Sequence, residues 1–214
     1  MTWAVVVPVK GNDGAKSRLG DMPERAALAE TFALDTVAAL VAASAVERVF
    51  VVTGSAHLGK LLAMLGAVIV PETVAQAEGA RGHARLNAAI VQGIAAARLA
   101  CPDAHVAVMT GDLPALCPVD VDTAFALAAE HPRALVPDAE GVGTTTLLAR
   151  AGVTFTPQFG LGSRAAHEAA GHVALDLLSN SSIRRDVDTA ADLEVARALG
   201  LGPYTSALFG RVQL

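Results

Sequence analysis

Aromatic side chains are scarce in this 214-residue chain, at 4%, and charged side chains reach only 17%. Hydrophobic residues make up 53%, so the core must be built from Ala, Val and Leu, and much of the chain must be buried. The length fits one domain with a substantial core. No apolar run approaches the roughly 20 residues that cross a bilayer; the run 37–43 sits inside an amphipathic pattern. A basic region followed by an apolar stretch and a cleavage site is missing from the N-terminus, where Met1 leads into a strand-like run. A soluble cytoplasmic protein with no membrane partner is expected. The formal net charge is −5 and there is no basic stripe or aromatic ladder, which argues against nucleic acid as a partner. The two cysteines, Cys101 and Cys117, have neither metal-site nor redox spacing and are expected to be reduced. The six histidines form no zinc pattern, and His167 and His172, five apart, do not share a helix face. No Gly-x-Ser-x-Gly elbow or Cys/His pairing suggests covalent catalysis.

What is present is an alternation of short apolar runs with longer Ala/Leu-rich ones. Strands are predicted at 4–9, 48–53, 67–70, 105–109, 134–137, 145–149 and 183–187, and helices at 23–43, 56–65, 84–100, 118–129, 163–170 and 190–199. Such alternation implies an α/β fold, a mostly parallel sheet flanked by helices. Pro23 and Glu24 suit the first turn of their helix. Within one domain, residues 1–135 read as a nucleotide-binding half. Residues 136–214, with more Gly and Thr, read as a half that faces the acceptor and completes a metal site. The tail 203–214 carries Tyr204, Leu208, Phe209 and Val212, and is expected to pack on the body or on a second subunit.

Four constellations carry chemistry. The first strand runs into Lys10-Gly11-Asn12-Asp13-Gly14-Ala15-Lys16-Ser17-Arg18. A Gly- and cation-rich loop at the end of a parallel strand suits a triphosphate, because backbone N–H groups approach closely where Cβ is missing. The second is Thr110-Gly111-Asp112-Leu113-Pro114, again at a strand end. There Gly111 leaves room for a ligand, and Asp112 either binds Mg²⁺, a hard cation held by one or two carboxylates plus phosphate oxygens, or caps the turn. The third is Arg184-Arg185-Asp186-Val187-Asp188-Thr189. If this is a strand, Asp186 and Asp188 share a face and complete a metal site with Asp112. Asp188 alternatively caps the next helix, where Thr189 and Asp192 approximate a capping box. The fourth is Phe159-Gly160-Leu161-Gly162-Ser163, a Gly-rich turn feeding a helix with Ser163 as N-cap, a ready anion site. Close to it in sequence is the hydroxyl-bearing turn Gly141-Val142-Gly143-Thr144. Asn87, at the start of a helix, either donates to a nucleotide or satisfies backbone groups.

In this order, Lys10, Lys16, Arg18, Leu86-Asn87, Gly111-Asp112-Leu113-Pro114, Gly143-Thr144, Phe159-Gly160 with Ser163, and Arg185-Asp186-Val187-Asp188-Thr189 resemble the 2-phospho-L-lactate/phosphoenolpyruvate guanylyltransferases of coenzyme F420 biosynthesis. The resemblance spans nearly the full length. It implies a nucleotidyltransferase fold of the nucleotide-diphospho-sugar transferase kind, and GTP and Mg²⁺ as donor and cofactor. The implied reaction transfers GMP to phosphoenolpyruvate or 2-phospho-L-lactate and releases pyrophosphate. It further implies that Lys10, Gly11, Lys16, Arg18, Asn87 and Gly111 meet the nucleotide, that Lys10, Lys16, Arg18 and Asp112 carry catalysis, and that Thr144, Gly160 and Ser163 line the acceptor site. Asp112, Asp186 and Asp188 form the metal region. Two departures stand out: Val142 replaces a threonine of the Gly-Thr-Gly-Thr turn, and Arg85 stands where many members have glycine. The alternatives are another nucleotidyltransferase of the same fold, using molybdopterin or a sugar phosphate, or a GTP-binding protein without turnover. A homodimer through the C-terminal region is expected.

Overall fold

The computed structural model describes residues 1–10, 25–73 and 82–212. Lys16, Arg18 and Gly11, together with the predicted helix start at Pro23 and Glu24, lie outside them. Seven strands are described: β1 (Trp3–Pro8), β2 (Val46–Thr53), β3 (Val68–Pro71), β4 (His105–Met109), β5 (Arg133–Pro137), β6 (Thr144–Ala149) and β7 (Val173–Ala174). Between and after them come α1 (Arg25–Ala42), α2 (Ala56–Met64), α3 (Gly82–Ala100), α4 (Pro118–Ala128), α5 (Ser163–Ala169), α6 (Ala190–Leu199) and α7 (Pro203–Val212).

The strands form one sheet in the order β3-β2-β1-β4-β6-β5-β7. β1 to β4 are mutually parallel, and β6 runs antiparallel to both β4 and β5. The sheet alternates its apolar side chains between two covered faces. Trp3, Val5, Val7 and Val9 pack with Val37, Leu40, Leu58, Val121 and Phe125 from α1, α2 and α4. Ala4 and Val6 pack with Ile90, Ile94 and Ala97 of α3. α3 comes close to the sheet because Gly93 has no Cβ: one built there would press on Val6 Cγ1 and lie 2.6 Å from Val52 Cγ2.

Chain order reverses at β1. The chain moves outward through β2 and β3, then crosses back to β4 on the other side of β1. Open α/β sheets bind ligands beyond the carboxyl ends of the strands at such a switch point. Lys10 and the Gly111–Asp112 turn leave the sheet there, from neighbouring parallel strands registered Val6 to Val108.

Two predicted elements are corrected. Residues 183–187 are not a strand: Ser182–Arg184 is a 3-10 turn, and the chain beyond it joins no ladder. Its contacts explain this. Ser182 N–H and Oγ both donate to Asp120 Oδ2 at 2.6 Å, Cys117 N–H donates to Ser182 Oγ at 2.9 Å, and Thr145 Oγ1 donates to the Ile183 carbonyl at 2.7 Å. Side chains satisfy this backbone, so no strand partner is needed. Ser163 is not an N-cap. Gly162, left-handed at φ 68°, holds that position with no side-chain bond, and Ser163 is the first helical residue. The tail, given no element in the prediction, is the helix α7. Its Leu208 and Phe209 pack with Leu28 and Phe32 of α1.

Candidate active site

Asp112 sits on a loop that three separate segments hold by its backbone. Thr36 of α1 is buried; its Oγ1 donates to the Phe32 carbonyl at 2.8 Å and accepts the Leu113 N–H at 3.0 Å. Val187 N–H donates to the Asp112 carbonyl at 3.0 Å, and Gly202 N–H donates to the Pro114 carbonyl at 2.7 Å. Gly111 allows the close fit on the remaining side: a Cβ there would lie 3.2 Å from Val9 Cγ2 and 3.3 Å from Val7 Cγ1. The space that Gly111 leaves is therefore used by β1 itself.

The Val187 bond brings the third constellation to the second. Val187 is fully buried against Leu28, Phe32 and Ala115. It pins the chain so that Asp186, half-buried, and Asp188, exposed, flank a point bonded to the Asp112 loop. The capping role open to Asp188 belongs to its neighbour. Thr189 is the N-cap of α6, accepting from Asp192 N–H, while Asp192 Oδ2 accepts the Thr189 N–H at 2.7 Å. Among the described residues no three His, Cys, Asp or Glu side chains converge as a ready-made metal cage. A hard divalent cation needs only one or two protein carboxylates when substrate phosphates and water complete its shell, and Asp112 with Asp186 or Asp188 fits that donor set.

The fourth constellation assembles around one imidazole. His167 is fully buried on α5, one turn after Ser163. Its Nδ1 lies 3.0 Å from Thr144 Oγ1, and its Nε2 accepts the Gln158 N–H at 2.9 Å. Ser163 N–H donates to the Gly160 carbonyl at 3.1 Å. Thr144 is thus tied to the helix that Ser163 opens, and Ser163 to Gly160. Gly160 has φ 145°, and a Cβ there would collide with His83, 2.8 Å from Nδ1. Burial, with a smaller contribution from His172, pushes His167 down to about 4.

Asn87 takes the second of its two roles. Its Nδ2 donates to the Phe159 carbonyl at 2.9 Å and the His83 carbonyl at 3.0 Å, and its Oδ1 accepts the Phe159 N–H at 2.9 Å. Its amide docks the Gly160 loop onto α3. Arg85 bonds Glu72 through Nε at 2.6 Å and ties the end of β3 to the same helix. In the turn before Thr144, Asp138 accepts the N–H groups of Val142 and Gly143 at 2.9 and 2.6 Å. A Cβ on Gly143 would meet that carboxylate, which is the physical demand for glycine there. Lys10 is exposed at the β1 edge.

Sequence reasoning gave no partner to Thr36 or Asp35 and missed the contact between His167 and His172. The two imidazoles stand 5.7 Å apart, because α5 ends at Ala169 and the chain turns back through Gly171 at φ 86°. The glycine just past the helix was the available signal.

Residues 3–207 match the family described as Guanylyl transferase CofC like. The chain belongs to that family. A phosphoenolpyruvate guanylyltransferase of Streptomyces coelicolor is 46% identical over 99% of this chain and 98% of its own length. That of Thermomonospora curvata is 45% identical over 99% and 90%. Among solved structures, a protein of Desulfovibrio desulfuricans G20 assigned to the nucleotide-diphospho-sugar transferases superposes with a TM-score of 0.69 at 19% identity, covering 100% of this chain and 96% of that one. A 4-diphosphocytidyl-2C-methyl-D-erythritol synthase gives 0.55 at 14%, covering 92% and 98%. These two establish the fold, and the relatives establish a guanylyltransferase family. No helix among the described residues is long and apolar enough to cross a membrane.

Proposed function

We propose that this protein transfers GMP from GTP to the phosphate of a small phosphorylated acid, phosphoenolpyruvate foremost and 2-phospho-L-lactate as the rival acceptor, in coenzyme F420 biosynthesis. The observation that carries this is the switch-point edge. There a clamped Asp112 loop is bonded to the Asp186–Asp188 segment, Thr144 meets His167, and Ser163 N–H donates to the Gly160 carbonyl. The names of the relatives supply the guanylyl group and favour phosphoenolpyruvate.

An acceptor phosphate oxygen attacks the α-phosphorus of GTP, the bond to the bridging α–β oxygen breaks, and pyrophosphate leaves. A phosphate monoester is already largely deprotonated near neutral pH, so no dedicated base is required. Both reactants are anions, and bringing them together is the main obstacle. Positioning and charge neutralisation supply most of the rate. Lys10, with Lys16 and Arg18 a few residues on in the sequence, neutralises the triphosphate, and the hydroxyls of Thr144 and Ser163 orient the acceptor. Asp112 with Asp186 or Asp188 would hold Mg²⁺, and the chemistry the ion would supply is neutralisation of the charge on the phosphate oxygens.

The test is pyrophosphate release from GTP and Mg²⁺ with phosphoenolpyruvate, 2-phospho-L-lactate and 3-phosphoglycerate in turn, with an F420 ligase present to draw the product forward. Release with phosphoenolpyruvate is expected. Asp112→Asn is expected to lower turnover at least about 100-fold with its melting temperature nearly unchanged. Near-normal turnover of that variant at saturating Mg²⁺ would sink the metal assignment. GTP binding with no release from any acceptor would sink the transfer.

A further inference from the structure

His167 has more to do than fill the space beneath α5. The Gln158 N–H can only donate, so the Nε2 facing it at 2.9 Å must accept. A neutral imidazole carries one donor and one acceptor nitrogen, so its proton is on Nδ1. That nitrogen lies 3.0 Å from Thr144 Oγ1, and the threonine hydroxyl must therefore accept from it. Once its oxygen accepts there, the hydroxyl hydrogen of Thr144 points away from the imidazole. The site is built tightly enough to hold this polarity. His167 is fully buried, Thr144 nearly so, and Phe159 and His172 stack edge-on against the ring with centroids at 5.2 and 5.7 Å. His172 is itself oriented, donating from Nδ1 to the His167 carbonyl at 3.1 Å.

We infer that His167 is a positioning residue: by donating from Nδ1 to Thr144 Oγ1 it fixes that hydroxyl as a hydrogen-bond donor toward the anionic acceptor. Through Nε2 the same ring locks the backbone that leads to Gly160. One imidazole thus sets both the direction of the Thr144 donor and the position of the loop opposite. An acceptor carrying phosphate and carboxylate offers only lone pairs at neutral pH, so a hydroxyl free to rotate would satisfy it part of the time, whereas this one is pre-set. The inference rests on Thr144 lining the acceptor site.

Two variants separate the two bonds. In His167→Asn the amide nitrogen falls near the Nδ1 position and can still donate to Thr144. In His167→Gln the amide oxygen falls near the Nε2 position and can still accept from Gln158, but the Thr144 contact is lost. The expected result is an acceptor KM raised about tenfold in His167→Gln, worth about 1.4 kcal/mol, with the GTP KM unchanged. His167→Asn should remain close to the parent. Thr144→Val, which removes the donor outright, should raise the acceptor KM at least as much as His167→Gln, and combining the two should add nothing beyond Thr144→Val alone. A ¹⁵N spectrum of the parent imidazole should show the Nδ1–H tautomer at pH 7, whatever the activity. An Nε2–H tautomer or an imidazolium would overturn the inference. So would an unchanged acceptor KM in folded Thr144→Val, or equal losses in His167→Asn and His167→Gln. If His167→Gln does not fold, Thr144→Val and the tautomer decide. A parent enzyme that turns over no acceptor would defeat the transfer reading together with this one. The Nδ1–H tautomer combined with an insensitive acceptor KM would defeat this one alone.

Discussion

Replacing Thr36 by valine exchanges a hydroxyl for a methyl of nearly the same size at a fully buried position. Packing with α1's neighbours is retained. The Phe32 carbonyl still has its helical partner, but the Leu113 N–H, held at 3.0 Å by the hydroxyl, is left in an apolar setting with no acceptor. An orphaned buried donor costs about 1–3 kcal/mol. The methyl recovers part of this, so a loss of about 1–2 kcal/mol is expected. At about 2–4 °C per kcal/mol for a domain of this size, melting falls by roughly 2–8 °C. Leu113 adjoins Asp112, and a shift of the loop by a fraction of an ångström moves that carboxylate, so turnover should fall roughly tenfold or more. Thr36→Ser separates the two contributions. It keeps the bond and deletes a methyl, costing about 1 kcal/mol and leaving turnover intact. Urea unfolding and the rate of pyrophosphate release, measured on both variants, decide it. A valine variant as stable as the parent, or a serine variant equally impaired in turnover, would refute the reasoning.

Three further outcomes are expected. Acidification should destabilise the fold. Burial lowers His167 to about 4, and lowers His105 and His172 in the same sense. Between that value and the ordinary 6.5 the unfolded chain binds more protons than the folded one, so stability is full above pH 6.5 and is lost toward pH 4. His167 alone contributes roughly 3 kcal/mol, and a urea midpoint flat from pH 7 to 4.5 would contradict this. Asp35→Ala removes the carboxylate that accepts the Tyr204 and Thr205 N–H groups at 2.9 Å each, in the first turn of α7. It should cost about 2–3 kcal/mol and open the region near residue 200 to protease; unchanged resistance would count against that anchor. Gly93→Ala gains about 1 kcal/mol of helix propensity but loses about 1–3 kcal/mol to crowding against Val6 and Val52, so a net loss is expected, and a raised melting temperature would show that α3 shifts freely.

The strands that carry the switch point were legible because they are continuous apolar runs ended by Gly or Lys: β4 was placed to the residue, and β1 within one. The ordered motifs identified the guanylyltransferase family. What failed to read out depends on tertiary partners. Ile183 and Val187 are both fully buried and looked like a strand, but Asp120 and Thr145 satisfy the backbone of Ser182 and Ile183 at its start. α7 was hidden because its first turn is capped by Asp35, far away in sequence, rather than by a residue beside it. A Cβ on Gly202 would meet that carboxylate, so the Gly-Pro that resembles a breaker is a docking device. Thr36 reads as an ordinary helical threonine until Leu113 is seen against it.

The three clamps on the Asp112 loop come from positions 36, 187 and 202, and this bears on when the enzyme becomes competent. During synthesis, β1, β4 and the loop emerge long before the segment that supplies Val187 and Gly202. A nascent chain can therefore assemble its parallel strands while the Asp112 loop is held by Thr36 alone. The loop therefore gains its full set of clamps only when nearly the whole polypeptide has left the ribosome, and a chain cut short before residue 202 lacks the last of them.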